Sequence, residues 1–217
     1  MTEKLRCRAV IFDFDGTLAD SMPFLAEIGV EVMMRYYGIS KDEAAERYKS
    51  TTGLPYEHQI KLNFPDHEAN NKAIEVFEKM KIDRIFEQEL FPESNDILRV
   101  LKNEGFMLFV SSSTFQSTIT EYFKRLGMLE FFTEILGYRP GFEKGVHHFN
   151  YVRDNYGISL DKAVFIGDSL KDYERSRNHI QFVALEGMFA KSDFVQAGHD
   201  GHIISNLMEL EQILELA

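Results

Sequence analysis

Two aspartates, one residue apart, follow the first long apolar run of the sequence. The stretch VIFDFDGT, residues 10–17, carries them as Asp13 and Asp15, with Gly16 directly after the second. Two carboxylates this close raise each other's pKa and cost free energy unless something compensates their charge. The pattern therefore indicates either a bound cation or a chemical use for the second carboxylate.

Polar side chains also follow two later apolar runs. Residues 106–111 end in Ser111, and residues 163–167 are followed by Asp168, with Asp172 close behind. In open α/β sheets, ligands bind beyond the carboxyl ends of the strands, so these groups should converge if the strands are neighbours. Three carboxylates with hydroxyls form a hard oxygen site that suits Mg²⁺ together with water and a substrate phosphate. Mn²⁺ would suit the same donors.

Short apolar runs alternate with helical patterns along most of the chain. Such unbroken runs are typical of a parallel sheet covered on both faces, and the alternation predicts an α/β fold. We expect a Rossmann-like parallel sheet core flanked by helices. The predicted strands are 8–14, 106–111, 134–138, 163–167, 181–185 and 202–205, and the predicted helices between them are 94–103, 115–126 and 144–156.

One region interrupts this alternation. Residues 18–90 contain no convincing strand pattern, and about 70 residues are too many for a simple crossover between two strands. We therefore predict an inserted all-helical domain at 18–90, with the catalytic core formed by 1–17 and 91–217. The predicted helices of the insertion are 22–37, 41–49, 55–62 and 66–88.

Composition excludes several classes of function. The chain of 217 residues has a formal net charge of −11, which argues against nucleic-acid and anionic-membrane surfaces. No apolar run approaches the roughly 20 residues of a membrane helix, and the first residues lack a signal-peptide pattern. We expect a cytoplasmic protein, monomeric or homodimeric. Cys7, the single cysteine, rules out an intrachain disulfide.

Four segments carry a resemblance to a known family. The stretch DFDGTLADS, residues 13–21, resembles the first motif of the haloacid dehalogenase superfamily. Ser111 resembles the second motif, Lys144 the third, and GDSLKD, residues 167–172, the fourth. The helical insertion resembles the cap of members such as phosphoglycolate phosphatases and beta-phosphoglucomutases.

The resemblance implies roles for the acidic residues. Asp13 would be the nucleophile that forms an aspartyl-phosphate, and Asp15 would protonate the leaving alcohol and then deprotonate water. Mg²⁺ would be bound by the side chains of Asp13 and Asp168 and by the backbone carbonyl of Asp15. Asp172 would lie behind these residues and orient Lys144 or a metal-bound water.

The implied phosphate site leaves two alternatives open. Ser111 and an adjacent backbone N–H would hold phosphate oxygens, but Ser112 could take that place. Lys144 would neutralise phosphate charge. Many relatives have proline after this lysine, whereas this chain has Gly145, so Arg139 is the alternative cation.

A specificity loop is expected in the insertion. The segment TTGLPYEH, residues 51–58, resembles the cap loop that faces the active site in relatives, and Thr52, Gly53 and His58 are its candidate contacts. A simple turn between helices is the alternative. The adjacent His147 and His148 point in different directions on a helix, so we interpret them as surface or packing residues, not as ligands of a shared metal.

The predicted function is a Mg²⁺-dependent phosphatase that hydrolyses a small phosphomonoester through an aspartyl-phosphate. Dehalogenases of the superfamily lack the aspartate at the position of Asp15. A beta-phosphoglucomutase-like phosphotransferase is the alternative, although such enzymes tend to have Glu-Asp where this chain has Gly167-Asp168. A non-catalytic phosphate-binding module is the second alternative, and it would be expected to lose Asp13 or Asp15.

Overall fold

The computed structural model describes residues 4–217. It divides into two compact units. The first combines the described part of residues 1–19 with Leu90–Ala217, and the second is Asp20–Glu89.

The first unit is built on a parallel sheet. Six strands lie in the order β4-β3-β2-β5-β6-β7, all pairs parallel, and β1 pairs with β8 in a separate two-stranded ladder. This arrangement confirms the predicted α/β class with a parallel sheet flanked by helices. The strands are β1 (Leu5–Cys7), β2 (Ala9–Phe12), β3 (Met107–Phe115), β4 (Glu134–Tyr138), β5 (Ala163–Gly167), β6 (Gln181–Leu185), β7 (Ile203–Ile204) and β8 (Leu214–Leu216).

Helices occupy both units, with the first four in the second unit. Within the described part of the chain, no helix is both long enough and apolar enough to cross a membrane. The helices are α1 (Met22–Tyr37), α2 (Lys41–Thr51), α3 (Tyr56–Asn63), α4 (Asn70–Arg84), α5 (Ser94–Asn103), α6 (Gln116–Arg125), α7 (Val146–Tyr156), α8 (Leu170–Ser176), α9 (Lys191–Gln196) and α10 (Leu210–Ile213).

The core on one face of the sheet decides where the polar strand ends point. Ile11 of β2, Phe109 of β3 and Phe165 of β5 lie in one buried cluster with Phe149 of α7. The rings of Phe149 and Phe165 are 5.2 Å apart. Successive side chains of a strand point to opposite faces, so Asp13 continues the face of Ile11 toward α7.

The second unit contains four helices packed through small and aromatic side chains. A Cβ on Gly29 of α1 would meet the ring of Tyr48 of α2 at 2.3 Å, so the glycine is needed for this close approach. The predicted helix 66–88 was too long at both ends. Asp66 has a φ of 56°, which α-helix excludes, and α4 begins only at Asn70.

In the first unit, the structure differs from the predicted strands in two places. The ladder of β1 and β8 was not predicted, because three-residue strands leave too little pattern to detect. The predicted strand 106–111 extends to Phe115, since the backbone remains extended through an irregular stretch beyond Ser111. That stretch brings additional polar side chains to the end of the sheet.

Candidate active site

The loop after β2 is fixed by backbone bonds and by one aromatic anchor. The N–H of Asp13 donates to the carbonyl of Ile166 at 2.8 Å, which ties the loop to β5. Phe14 points away from Asp13 and lies edge-on to Tyr122 of α6, with ring centroids 4.9 Å apart. Gly16 has a φ of 80°, so the turn requires glycine. The carboxylate of Asp13 is therefore held at the sheet edge.

Lys144 joins two of the predicted carboxylates. Its Nζ lies 2.8 Å from Asp13 Oδ2 and 2.6 Å from Asp172 Oδ1, and all three side chains are almost fully buried. Gly145, with a φ of 101°, allows the backbone to turn directly before α7. The alternative cation, Arg139, is exposed, and its guanidinium lies 4.3 Å from the centre of the Phe142 ring.

The loop after β5 completes the acidic cluster. Ser169 caps α8, since its Oγ accepts from the N–H of Asp172 at 3.1 Å. The same hydroxyl donates to Asp172 Oδ2 at 2.7 Å. A Cβ on Gly167 would lie 2.9 Å from both the Cβ and Oδ2 of Asp172, so glycine provides the space that this carboxylate occupies.

The proximity and burial of the acidic residues shift their pKa values. Carboxylate oxygens of Asp13, Asp168 and Asp172 lie within 4.8 Å of one another. Burial raises the pKa of Asp13 well above its usual range; Lys144 opposes that rise, and the charges of Asp172 and Asp168 add to it. Burial and Asp172 raise the pKa of Asp168 to about 7. Burial disfavours charge on Lys144, but Asp13 and Asp172 outweigh it and raise the pKa of Lys144.

The donor set fits a hard divalent cation. Asp168 Oδ2 is buried and has no hydrogen-bond partner among the described residues. The cluster contains three buried carboxylates, and two of them contact one lysine, so negative charge remains that a cation would offset. All the available donors are oxygen atoms, the type that Mg²⁺ prefers.

Asp15 lies in different surroundings from the other acids. Its side chain is only half-buried, and Oδ2 accepts a hydrogen bond from Thr114 Oγ1 at 2.7 Å. The two aspartates of the DFD motif are thus held by different groups, Asp13 by a lysine and Asp15 by a hydroxyl. Sequence reasoning did not single out Thr114; the hydroxyl-rich run after the second predicted strand was the available signal.

The two candidate serines have different partners. Ser111 Oγ lies 2.8 Å from Nδ1 of His148, and both residues are fully buried. Ser112 is also buried, and its Oγ accepts from the N–H of Thr114 at 2.9 Å. His148 was interpreted as a surface or packing residue, and the structure gives it a buried place beside Ser111. His147 is exposed.

His148 predicts a measurable dependence of stability on pH. Burial and, to a smaller extent, the charge of Lys144 lower the pKa of His148 from 6.5 to about 3. Because the folded pKa is below the unfolded one, the neutral imidazole contributes stability that is complete above pH 6.5 and is lost as the pH falls toward 3. In His148→Gln, the free energy of unfolding should fall less steeply with acid, by up to about 1.4 kcal/mol per pH unit.

Urea titrations of both proteins over this pH range would measure that difference. Equal slopes in the two proteins would show that His148 does not titrate as its burial requires.

The candidate specificity segment forms the connection between α2 and α3. Thr52 is buried, and its hydroxyl donates to the carbonyl of Tyr48 at 3.0 Å, within the end of its own helix. Gly53 has a φ of 91° and makes the turn, and His58 lies half-buried in the first turn of α3. These positions are compatible with an interhelical turn and leave a role in specificity as a proposal.

Comparisons with known proteins find relatives that match nearly the whole chain. A phosphoglycolate phosphatase of Nitrosococcus oceani is 24% identical over 96% of this chain and 96% of its own length. A 5'-nucleotidase of Pseudomonas aeruginosa is 25% identical over 97% of each chain. The solved structure of a haloacid dehalogenase-like family hydrolase from Streptococcus pneumoniae superposes with a TM-score of 0.80, at 23% identity, over 95% of this chain and 97% of that one.

The chain also matches a model of a whole protein family. The model of the family described as haloacid dehalogenase-like hydrolase matches residues 10–185. This range begins at the strand that precedes Asp13 and ends with β6, so it includes every residue of the acidic cluster. The resemblance inferred from the sequence motifs is thereby confirmed, and this chain belongs to the haloacid dehalogenase-like hydrolase family.

Proposed function

We propose that this chain is a Mg²⁺-dependent phosphatase that hydrolyses a small phosphomonoester through an aspartyl-phosphate on Asp13. The chain is a hydrolase of phosphoric monoesters, and the metal and the intermediate are the parts proposed here. The observation that supports both is that the two aspartates of the motif lie in different surroundings. Asp13 lies buried beside Lys144 and two further acids, whereas Asp15 is half-buried and hydrogen-bonded to a hydroxyl.

In the first step, a carboxylate oxygen of Asp13 attacks phosphorus while the ester bond to the leaving oxygen breaks. Asp15 transfers its proton to that oxygen and releases an alcohol. The N–H of Phe14 donates to Asp13 Oδ1 at 2.6 Å and Lys144 lies 2.8 Å from Oδ2, so the nucleophile cannot rotate freely. This fixed orientation supports attack along one line.

In the second step, water attacks the phosphorus of the aspartyl-phosphate. Asp15, now ionised, accepts a proton from this water, and inorganic phosphate leaves as the Asp13 carboxylate is regenerated. Lys144 provides a buried positive charge for the phosphoryl oxygens. Such preorganised charge in a site with little water is the largest source of rate enhancement in this class of reaction.

Asp13 and Asp168 would hold Mg²⁺ with their side chains, and the backbone carbonyl of Asp15 is the proposed third protein ligand. Bound there, the ion would supply positive charge that keeps the buried Asp13 ionised and that stabilises the phosphoryl oxygens. Asp172 accepts from Ser169 and lies against Lys144, which supports a role in orienting that lysine.

The relatives suggest the range of substrates. Two of them carry the names phosphoglycolate phosphatase and 5'-nucleotidase, and each name points to a phosphate ester of a small metabolite as the substrate of that protein. We extend this class, small phosphorylated metabolites, to the present chain. Residues outside the phosphate site select among the members of this class. A cytoplasmic location and a monomeric or homodimeric state stay predictions from the sequence.

Phosphate release from a panel of esters tests this function. The panel contains phosphoglycolate, nucleoside 5'-monophosphates, hexose phosphates and an aryl phosphate, each assayed with Mg²⁺ and after chelation. We expect release that requires Mg²⁺ and stops on chelation. Mg²⁺ should also raise the melting temperature, and by less at about pH 5.5 than at about pH 8, since protons compete for the raised-pKa carboxylates.

Three outcomes would contradict parts of this proposal. Conversion of one hexose phosphate isomer into another without phosphate release would indicate the mutase alternative. A folded protein that binds phosphate esters but turns over none of them would indicate the non-catalytic module. Activity that persists unchanged after thorough chelation would remove Mg²⁺ from the mechanism.

A further inference from the structure

The irregular end of β3 brings an unassigned residue to the site. Between Ser111 and Phe115, β3 advances four residues while its partner β4 advances only two, from Leu136 to Tyr138. Extra residues of this kind form a bulge, which bends the strand and redirects its side chains, often beside active sites. The bulge contains Ser112 and the residues that follow it up to Phe115.

Contacts with β4 hold this bulge in place. The side-chain amide of Gln116 donates to the carbonyl of Ile135 at 2.7 Å and accepts from the N–H of Gly137 at 2.7 Å. A Cβ on Gly137 would lie 2.5 Å from the Cα of Gln116 and 2.8 Å from the carbonyl oxygen of Thr114. The bulge therefore requires glycine at this position of β4.

The bulge directs Thr114 onto the acid of the adjacent strand end. Thr114 is 2% exposed, its N–H donates to Ser112 Oγ at 2.9 Å, and its Oγ1 donates to Asp15 Oδ2 at 2.7 Å. The residues in this contact are 99 positions apart in sequence, so the sheet topology creates it. A hydrogen bond from a backbone-anchored hydroxyl restricts the carboxylate of Asp15 to one orientation.

We propose that Thr114 is a positioning residue for Asp15, held by the β3 bulge, and that it orients this carboxylate for proton transfer to the leaving oxygen. The inference rests on the proposed function, because it assigns Asp15 the acid and base role. A residue that acts through Asp15 should matter in proportion to how much the reaction needs an acid. Alkoxide leaving groups need protonation, whereas a strongly stabilised phenolate does not.

The test compares two substrates in Thr114→Val. For the best alkyl phosphate of the panel, kcat/KM should fall about 10- to 100-fold, the loss expected for a hydrogen bond to a charged group. For dinitrophenyl phosphate, kcat/KM should change less than about 3-fold, since kcat/KM reports steps up to formation of the aspartyl-phosphate. Thr114→Ser, which keeps the hydroxyl, should restore most of the alkyl phosphate activity.

Two further variants separate positioning from a loss of structure. Thr133→Val makes the same chemical change at an exposed position before β4 and should leave both substrates unaffected. Asp15→Asn should show the same substrate dependence as Thr114→Val, only larger, and adding Thr114→Val to it should cause little further loss. A uniform loss on both substrates in Thr114→Val, or losses that add in the double variant, would overturn the proposal.

These outcomes keep the two hypotheses distinct. If the wild-type protein releases no phosphate from any ester, the proposed function fails. If the wild-type protein and Asp15→Asn behave as expected but Thr114→Val resembles the wild type on both substrates, only the role of Thr114 fails.

Discussion

Replacement of Asp13 by asparagine should abolish phosphate release from every ester, lowering kcat by at least about 10⁴-fold. The amide has nearly the same size as the carboxylate but is a far weaker nucleophile and a poorer ligand for a cation. The protein should remain folded, because the substitution also removes one of three clustered negative charges. The expected loss is therefore chemical in origin.

Three measurements would establish this result. Phosphate release gives the activity, thermal unfolding gives the stability, and intact-mass spectrometry after acid quench detects a phosphoryl group on the wild-type chain during turnover. The phosphorylated species should be absent in Asp13→Asn. An asparagine variant that retains more than about one hundredth of the wild-type kcat would show that Asp13 is not the nucleophile.

Replacement of Lys144 by methionine should affect both activity and stability. We expect kcat/KM to fall about 10³-fold, since a buried positive charge beside the phosphoryl oxygens is lost. The free energy of unfolding should fall by about 3–5 kcal/mol, the range for removal of one partner from a buried ion pair. The remaining acids have raised pKa values, so they take up protons on folding, and the destabilisation should grow as the pH rises.

A second substitution separates these two effects. Asp172→Asn removes the other charge that lies against Lys144, so adding it to Lys144→Met should recover part of the stability but none of the activity. Arg139→Gln is the matched control, because this exposed cation lies over Phe142 and should leave both quantities nearly unchanged. A large loss of activity in Arg139→Gln, with little in Lys144→Met, would transfer the phosphate-binding role to the arginine.

Most strands of the sheet and the members of the acidic cluster could be predicted from the sequence, for a physical reason. A buried parallel strand needs a continuous apolar run, and such runs mark β2, β3 and β5 and therefore the residues that follow them. Asp13 and Asp168 could be placed at one sheet edge because parallel strands end on the same side. Lys144 was harder to assign, since no strand ends directly before it and its contact with Asp13 depends on the turn at Gly145.

Contacts made by irregular backbone could not be predicted in the same way. The link from Thr114 to Asp15 depends on a bulge that needs glycine at position 137 of the neighbouring strand, and the run of hydroxyl residues does not indicate this pairing by itself. The pairing of Ser111 with His148 joins a strand to a helix that begins 35 residues later. Periodicity describes single elements, whereas these contacts depend on how two elements approach each other.

The space shared by Gly167 and Asp172 also limits how sequences of this kind can change. A side chain at position 167 would occupy the volume that now holds the carboxylate of Asp172, so the two positions cannot vary independently. In aligned homologues with this backbone, any larger residue at position 167 should be accompanied by a smaller or displaced residue at position 172. Such a change would also affect Lys144, which now pairs with both Asp13 and Asp172. If the carboxylate at position 172 were lost or displaced, Asp13 would be the one of these two partners that remains.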